Sequence, residues 1–258
     1  MFETLVIQAR VIVALTLRET RMAFGTSFIG YLLPIFQPIF GVGFLVFLFY
    51  LIGRHPPFGE SLALFFATGV LTLDVYNKSS SSLMKAFTTN KALLSYPMIN
   101  FVDTLLARLT LIGATYVVVF VVFFSGLMLL GMATVPPHPE RIIIAFLATL
   151  FLGFGKGSLD AVLYQMFPSW QNVDKVLSRP MYFLSGIFYV PGLLPPEAVA
   201  VLKWNPVLHC VEWARTGWYQ NYPDDVFNPW YPLAFASILL LIGLFSERIT
   251  RKQRGGMA

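Results

Sequence analysis

Apolar residues gather along this chain into long runs, each broken by a short polar or glycine- and proline-bearing stretch. A helix needs about 20 mainly apolar residues to cross the ~30 Å hydrocarbon core of a bilayer. Six stretches reach or approach that length and predict spans at 29–53, 61–82, 104–131, 141–165, 176–194 and 227–247. The first carries no charge between Gly30 and Ile52. The second is purely apolar only from Leu62 to Leu73 and must run on past Asp74 and Lys78. The third follows closely on Asp103 and takes in Arg108. The fourth contains Lys156 and Asp160. The fifth is short and interrupted by Pro180, Pro191 and Gly192. An open-ended segment in lipid satisfies its backbone only as a helix, so all six are expected to be α-helical. The fold class is therefore an all-α integral membrane protein with six transmembrane helices in a single transmembrane domain, 1–258.

Three further segments complete the pattern. Residues 1–28 are apolar with sparse charge. At 100° per residue, Glu3, Arg10, Arg18 and Arg21 share one narrow arc, which predicts a helix lying in the membrane interface with that stripe outward. A helix packed on the bundle is the alternative. Residues 77–97 form a polar connection with Ser79–Ser82 and the lysines 78, 85 and 91, long enough for a short helix that a soluble partner could grip. Residues 195–222 are too apolar for a solvated loop and too broken for a span. They predict a re-entrant hairpin of short helices before the last span, its backbone covered by protein.

Composition sharpens this picture. Only 12% of residues are charged against 57% hydrophobic, and mean hydropathy is +0.70; a soluble domain carries about 25% charged residues. The net charge of +5 is scattered over the ends of apolar runs, so no nucleic-acid patch is expected. With both termini placed in the cytoplasm, twelve of the eighteen lysines and arginines fall inside and four outside, which supports that orientation. Cys210 is the only cysteine, so the chain has no internal disulfide. The apolar stretch at 11–17 ends at Arg18-Glu19 with no small-residue cleavage pattern, and is expected to be retained.

Candidate chemistry centres on the fourth span. Lys156 and Asp160 stand at i,i+4 and share a face, in a region where an unpaired charge is costly. They are either a charged contact on a substrate path or a buried structural pair. Gly153 and Gly157 make a small-xxx-small face for close helix approach. Gly157 stands where a phosphate loop needs Ser or Thr. Asp74 and Lys78 repeat the i,i+4 spacing, as an interface pair with Lys78 snorkelling. Arg108 could snorkel likewise or join the path, and Tyr164 is a further candidate on the fourth span. Trp204, Trp213, Trp218, Tyr219 and Tyr222 suit an interfacial belt, with sugar stacking as the alternative. His209 and Cys210 are adjacent, but nothing has metal-ligand spacing, and no catalytic motif is present.

Three strings and their order resemble the transmembrane subunit of type-2 ABC exporters, in the capsular polysaccharide branch. They are Arg18-Glu19-Thr20-Arg21 with Ser27, Gly30-Tyr31 and Pro38; Asn90-Lys91-Ala92-Leu93-Leu94-Ser95-Tyr96-Pro97 with Asp103 and Ala107-Arg108; and Trp204-Asn205-Pro206-Val207-Leu208-His209 with Glu212 and Arg215. The resemblance covers essentially the whole chain. It implies a homodimer around a translocation path, with two copies of a separate ATPase that binds ATP and Mg, and no cofactor or catalytic residue in this chain. It implies ATPase coupling through Lys85, Asn90, Lys91, Tyr96 and Pro97, and an outer hairpin bearing Trp204, Asn205, Pro206, Glu212 and Arg215. The implied cargo is a capsular polysaccharide with a lipid-linked end, moved from cytoplasm to periplasm across a Gram-negative inner membrane. Membrane lipid, periplasmic and outer-membrane export proteins and the polysaccharide itself are the implied partners. Other cargoes (O-antigen, teichoic acid, a small molecule) remain open. A secondary transporter using Lys156 and Asp160 is a different class, against which the missing inverted repeat argues. An integral membrane enzyme would need an acidic cluster, and Asp224-Asp225 is the only adjacent acidic pair.

Overall fold

The computed structural model describes residues 2–25, 28–95 and 99–255, and among them every regular element is helical. In chain order these are α1 (Phe2–Phe24), α2 (Phe28–Leu51), α3 (Leu62–Met84), the one-turn α4 (Ala86–Thr89), α5 (Phe101–Leu129), α6 (Pro139–Met166), α7 (Trp170–Leu184), α8 (Pro196–Leu202), α9 (Pro206–Trp218) and α10 (Trp230–Gly255). Short 3-10 turns fall at Leu93–Ser95 and Pro191–Leu193. By length and composition, segments of α2, α5, α6 and α10 can cross a membrane: Leu32–Leu51, Phe101–Leu129, Pro139–Met166 and Trp230–Thr250.

Local signals place the helix starts. Ser61 Oγ accepts from the backbone N–H of Leu64 at 3.2 Å and caps α3. The Asp103 carboxylate accepts the Asn100 N–H at 2.8 Å and closes the first turn of α5. Pro139 and Pro206 begin α6 and α9, where their missing N–H is no loss.

The bundle is built around α3 and α6. Phe65, Phe66, Leu71, Leu73 and Val75 of α3 are fully enclosed. Its C-terminal half carries Asp74, Asn77, Lys78 and four serines, so it is less apolar than α2, α5 and α6 despite 23 residues, about 35 Å of helix at 1.5 Å each. Such a helix belongs inside a bundle, where neighbours satisfy its polar groups. α6 reaches it through glycine. A Cβ on Gly153 would sit 2.6 Å from Ser79 Cβ, and one on Gly157 would sit 2.6 Å from Leu83 Cβ. The small-residue face is therefore the α3 seam. Gly155, turned the other way, lets α10 approach through the Ala236 backbone. The outer surfaces are apolar: Phe36, Phe40, Phe44 and Phe47 on α2, and Ile238, Leu241 and Phe245 on α10, are exposed. That inverts the pattern of a soluble protein and suits contact with lipid.

Four expectations change. The stretch 176–194 is not one helix: α7 starts earlier, at Trp170, and stops at Leu184. Its 15 residues span about 22 Å, short of a ~30 Å core. Ser79–Ser82 belong to α3, which runs to Met84, so the connection proper starts at Lys85. α1 does not turn its whole polar stripe outward. Arg10 and Arg21 are exposed, but Arg18 reaches inward to Asn90; the side chain of Glu3 lies outside the described residues. Glu19, about 100° from Arg18, is buried and docks the helix on the bundle. Trp218 and Tyr222 are buried rather than in a belt, Trp218 stacked on Phe124 at 4.4 Å, whereas Trp204 is exposed. The other elements overlap the expected segments with different ends: α5 runs Phe101–Leu129, α6 Pro139–Met166 and α10 Trp230–Gly255, and the short pair α8 and α9 lies within 195–222.

Candidate functional site

The fourth predicted span carries the densest charge cluster. Lys156 Nζ contacts Asp160 Oδ2 at 2.5 Å, Ser80 Oγ of α3 at 3.0 Å, and Asp174 Oδ1 of α7. Ser80 Oγ donates to Asp160 Oδ2 at 2.9 Å, and Trp170 Nε1 donates to Asp160 Oδ1 at 2.9 Å. One lysine is thus shared by two carboxylates from different helices. The Lys156 side chain is 21% exposed, and Asp160 is nearly enclosed. Lys156 and Asp160 meet as their spacing implied. Asp174, Ser80 and Trp170 were not anticipated. Asp174 lies beyond the turn after α6, and no periodicity connects it to Lys156.

A second cluster holds α1 and the connection together. Arg108 of α5 pairs with Glu19 at 3.1 Å, both side chains 8% exposed, and donates to the Ser82 carbonyl at 2.6 Å. Asn90 donates to Glu19 Oε1 at 2.8 Å and accepts from Arg18 at 2.6 Å. Gln8 donates to Asp103 at 2.5 Å lower on the same seam. Arg108 therefore belongs to this clamp and not to the Lys156 cluster. Glu19 was the missed residue; it sat in the quoted Arg-Glu-Thr-Arg string but carried no assigned role.

Around the connection, Ala86, Phe87 and Asn90 are buried while Lys85 and Lys91 are exposed. Phe87 stacks face to face on Phe101 at 4.1 Å, fixing the one-turn helix against α5. Tyr164 lines a cavity of about 280 Å³ with Phe87, Thr88 and Lys91, so it sits beside the connection rather than beside Lys156. Tyr96 and Pro97 lie outside the described residues.

The hairpin residues converge inward. Arg215 and Glu212 are fully buried. The Arg215 guanidinium donates to the carbonyls of Gly186 at 2.7 Å, Tyr189 at 3.1 Å and Ile187 at 3.3 Å, and lies 3.9 Å over the Phe65 ring. Tyr222 donates to Glu212 Oε1 at 2.7 Å, and Glu212 stands 3.6 Å from Arg215. Asn205 caps α9 by accepting the Val207 N–H at 3.0 Å and donates to the Leu184 carbonyl at 3.0 Å. Pro206 follows as the first residue of that helix. Arg215, which the resemblance assigns to an outer hairpin, is an interior cation holding the chain that leaves α7. His209 bridges the Lys203 carbonyl at 2.8 Å and the Asn228 N–H at 3.2 Å, a structural use of both ring nitrogens.

A groove of about 590 Å³ opens between α2, α3 and α7. Phe36, Phe40 and Val70 make it apolar; Asp74, Gln37 and Tyr182 give it a polar floor. Lys78 Nζ bonds Gln37 Oε1 at 3.1 Å across the same seam instead of closing on Asp74.

Residues 10–219, which include Glu19, Arg108, Lys156, Asp160, Asp174 and Arg215, match the family described as ABC-2 type transporter. The chain belongs to that family. Among its curated relatives, the polysialic acid transport protein KpsM of Escherichia coli is 28% identical over 96% of this chain and 95% of the relative. The capsule polysaccharide export inner-membrane protein CtrC of Neisseria meningitidis serogroup A is 27% identical over 94% and 91%. BexB of Haemophilus influenzae, with the same description, is 25% identical over 94% and 91%. As an ABC-2 transporter chain with several helices apolar enough to span, this is a multi-pass membrane protein. The ABC-2 match stops short of α10, which begins at Trp230 and closes the bundle against α6.

Proposed function

We propose that this chain is the membrane-spanning subunit of an ATP-driven exporter that moves capsular polysaccharide, lipid-linked at one end, from the cytoplasm to the periplasm of a bacterium. The observation that carries this reading is similarity along nearly the whole chain to several relatives named for capsule or polysialic acid export, in a chain of the ABC-2 family. The proposal includes an inner-membrane location, both termini in the cytoplasm, a second copy of the chain, two copies of a separate ATPase that holds ATP and Mg, and periplasmic and outer-membrane export partners. The exposed lysines 85 and 91, on a connection fastened by Phe87 and Asn90, suit a docking point for that ATPase. The groove between α2, α3 and α7, apolar with a polar floor, suits a lipid-linked end.

Ion-coupled transport by Lys156 and Asp160 has less support. Asp160 accepts from Trp170 on one oxygen and from Ser80 and Lys156 on the other, an arrangement that suits a structural ion pair. The test is co-purification of tagged chain from a membrane in which its neighbouring genes are expressed, a search of the product for an ATPase, then polysaccharide uptake into inverted vesicles. ATP-dependent uptake that is lost when Lys85 and Lys91 are both changed to Glu supports the reading. Uptake driven by an ion gradient, with no ATPase bound, overturns it.

A further inference from the structure

α7 is held to the rest of the chain in an unusual way. Asp174 is the one buried residue of its fifteen. Val173, Val176, Leu177 and Phe183 are all exposed, so little apolar packing fastens the helix. Its N-terminal half is tied by two polar contacts to α6, Asp174 to Lys156 and Trp170 Nε1 to Asp160. Its far end is tied much more firmly. Arg215 takes the carbonyls of Gly186, Ile187 and Tyr189, and Asn205 takes that of Leu184. Gly186 turns the chain there at φ +77°, a conformation glycine adopts without strain. Pro180 interrupts the helix between the two ends and removes one of its backbone bonds.

We infer that the Lys156–Asp174 contact is a latch that opens to let the N-terminal half of α7 swing away from α6 about Pro180, while Arg215 keeps the far end fixed. The charges allow it. Lys156 has a second carboxylate, Asp160, on its own helix, so the departure of Asp174 leaves a neutral i,i+4 pair rather than a stranded cation. Tyr182, the α7 residue that lines the groove, lies beyond Pro180 on the fixed side, so the swing leaves that wall of the groove in place. Coupling the swing to ATP rests on the export reading above; the latch itself does not.

The experiment places nitroxide labels at Leu177→Cys on α7 and Leu147→Cys on α6, both exposed, in the full chain, and measures their separation by pulsed electron resonance. Cys210 is buried and stays unlabelled. Labelled chain is mixed with excess unlabelled chain so that only distances within one chain are read. The parent gives one narrow distribution. Asp174→Asn, which keeps the Lys156–Asp160 pair and so keeps the fold, broadens or shifts it by on the order of 5 Å, the size of a one-turn helix displacement. Asp174→Glu, which keeps the carboxylate and leaves the Lys156–Asp160 pair untouched, retains the narrow form. A D174N distribution that overlays the parent, or a D174E distribution as broad as that of D174N, overturns the latch. In complex with the ATPase, ATP shifts the parent toward the D174N distribution, and an unchanged distance in a complex that does bind ATP overturns its opening in the cycle. Failure of the export reading shows separately, as absence of the ATPase from the purified protein, and leaves the first three measurements intact.

Discussion

Buried charge in this protein is arranged so that each ion has partners and most have more than one. Arg215 shows why a single change matters. Its guanidinium is fully buried, faces one carboxylate and satisfies three backbone carbonyls at the end of α7. Arg215→Met removes all of this and leaves Glu212 uncompensated, a type of loss that costs about 3–5 kcal/mol. The purified variant is expected to melt well below the parent in detergent. Adding Glu212→Gln removes the stranded charge and is expected to recover part of the loss. An R215M melting curve superposing on the parent's would remove the anchoring role. The same residue shows where sequence reading loses its grip. Its place in the Trp-Asn-Pro string marked the hairpin, but nothing local distinguishes an arginine in a loop from one whose partners lie 26 to 147 positions away.

At the scale of elements, the seams between helices are set by side-chain size more than by attraction. Lipid is as apolar as leucine, so close backbone approach at small residues is what makes one contact better than another. Gly157→Leu forces a side chain into space where even a Cβ would stand 2.6 Å from Leu83 Cβ. It is expected to destabilise by about 1–3 kcal/mol, as overpacking does. Gly126, whose Cβ would meet nothing within 4 Å, is the control. Gly126→Ala is expected to be neutral or to stabilise by up to about 1 kcal/mol through better helix propensity. Fluorescence-detected size exclusion after graded heating separates the two; equal behaviour would mean that the α3–α6 seam is looser than described. The GxxxG spacing on α6 was legible because a four-residue repeat defines a helix face without knowledge of the partner. That the partner is α3 was not legible.

For the molecule as a whole, the exposed apolar belt is the feature that makes it a membrane protein. Leu241 on α10 and Phe40 on α2 are 68% and 80% exposed. Leu241→Lys would be harmless on a soluble surface, but mid-membrane it is expected to cost about 2.5–3.5 kcal/mol of insertion free energy. Glycosylation mapping of α10 in microsomes measures this directly, and unimpaired insertion would place Leu241 away from lipid. Polar helices go to the middle of this bundle: α3, with its serines and Asp74, is enclosed by α2, α5, α6 and α9. The short amphipathic α7 is left at its margin, held by polar contacts rather than by packing.

Hydropathy and charge spacing alone determined the membrane class, the long apolar helices, the helical character of the N-terminal segment and of much of residues 195–222, and the Lys156–Asp160 pair. Each is a local property, fixed by the 3.6-residue period or by the ~30 Å thickness of a bilayer. Tertiary structure alone decided the rest. It gave Lys156 a second carboxylate from α7, turned Glu19 inward onto Arg108, and moved Arg215 from a supposed outer hairpin to the interior. It also showed that 176–194 is a short helix followed by an anchored turn. In each case the outcome depended on which distant backbone or side chain could satisfy a polar group away from water, and that is settled only when the helices meet.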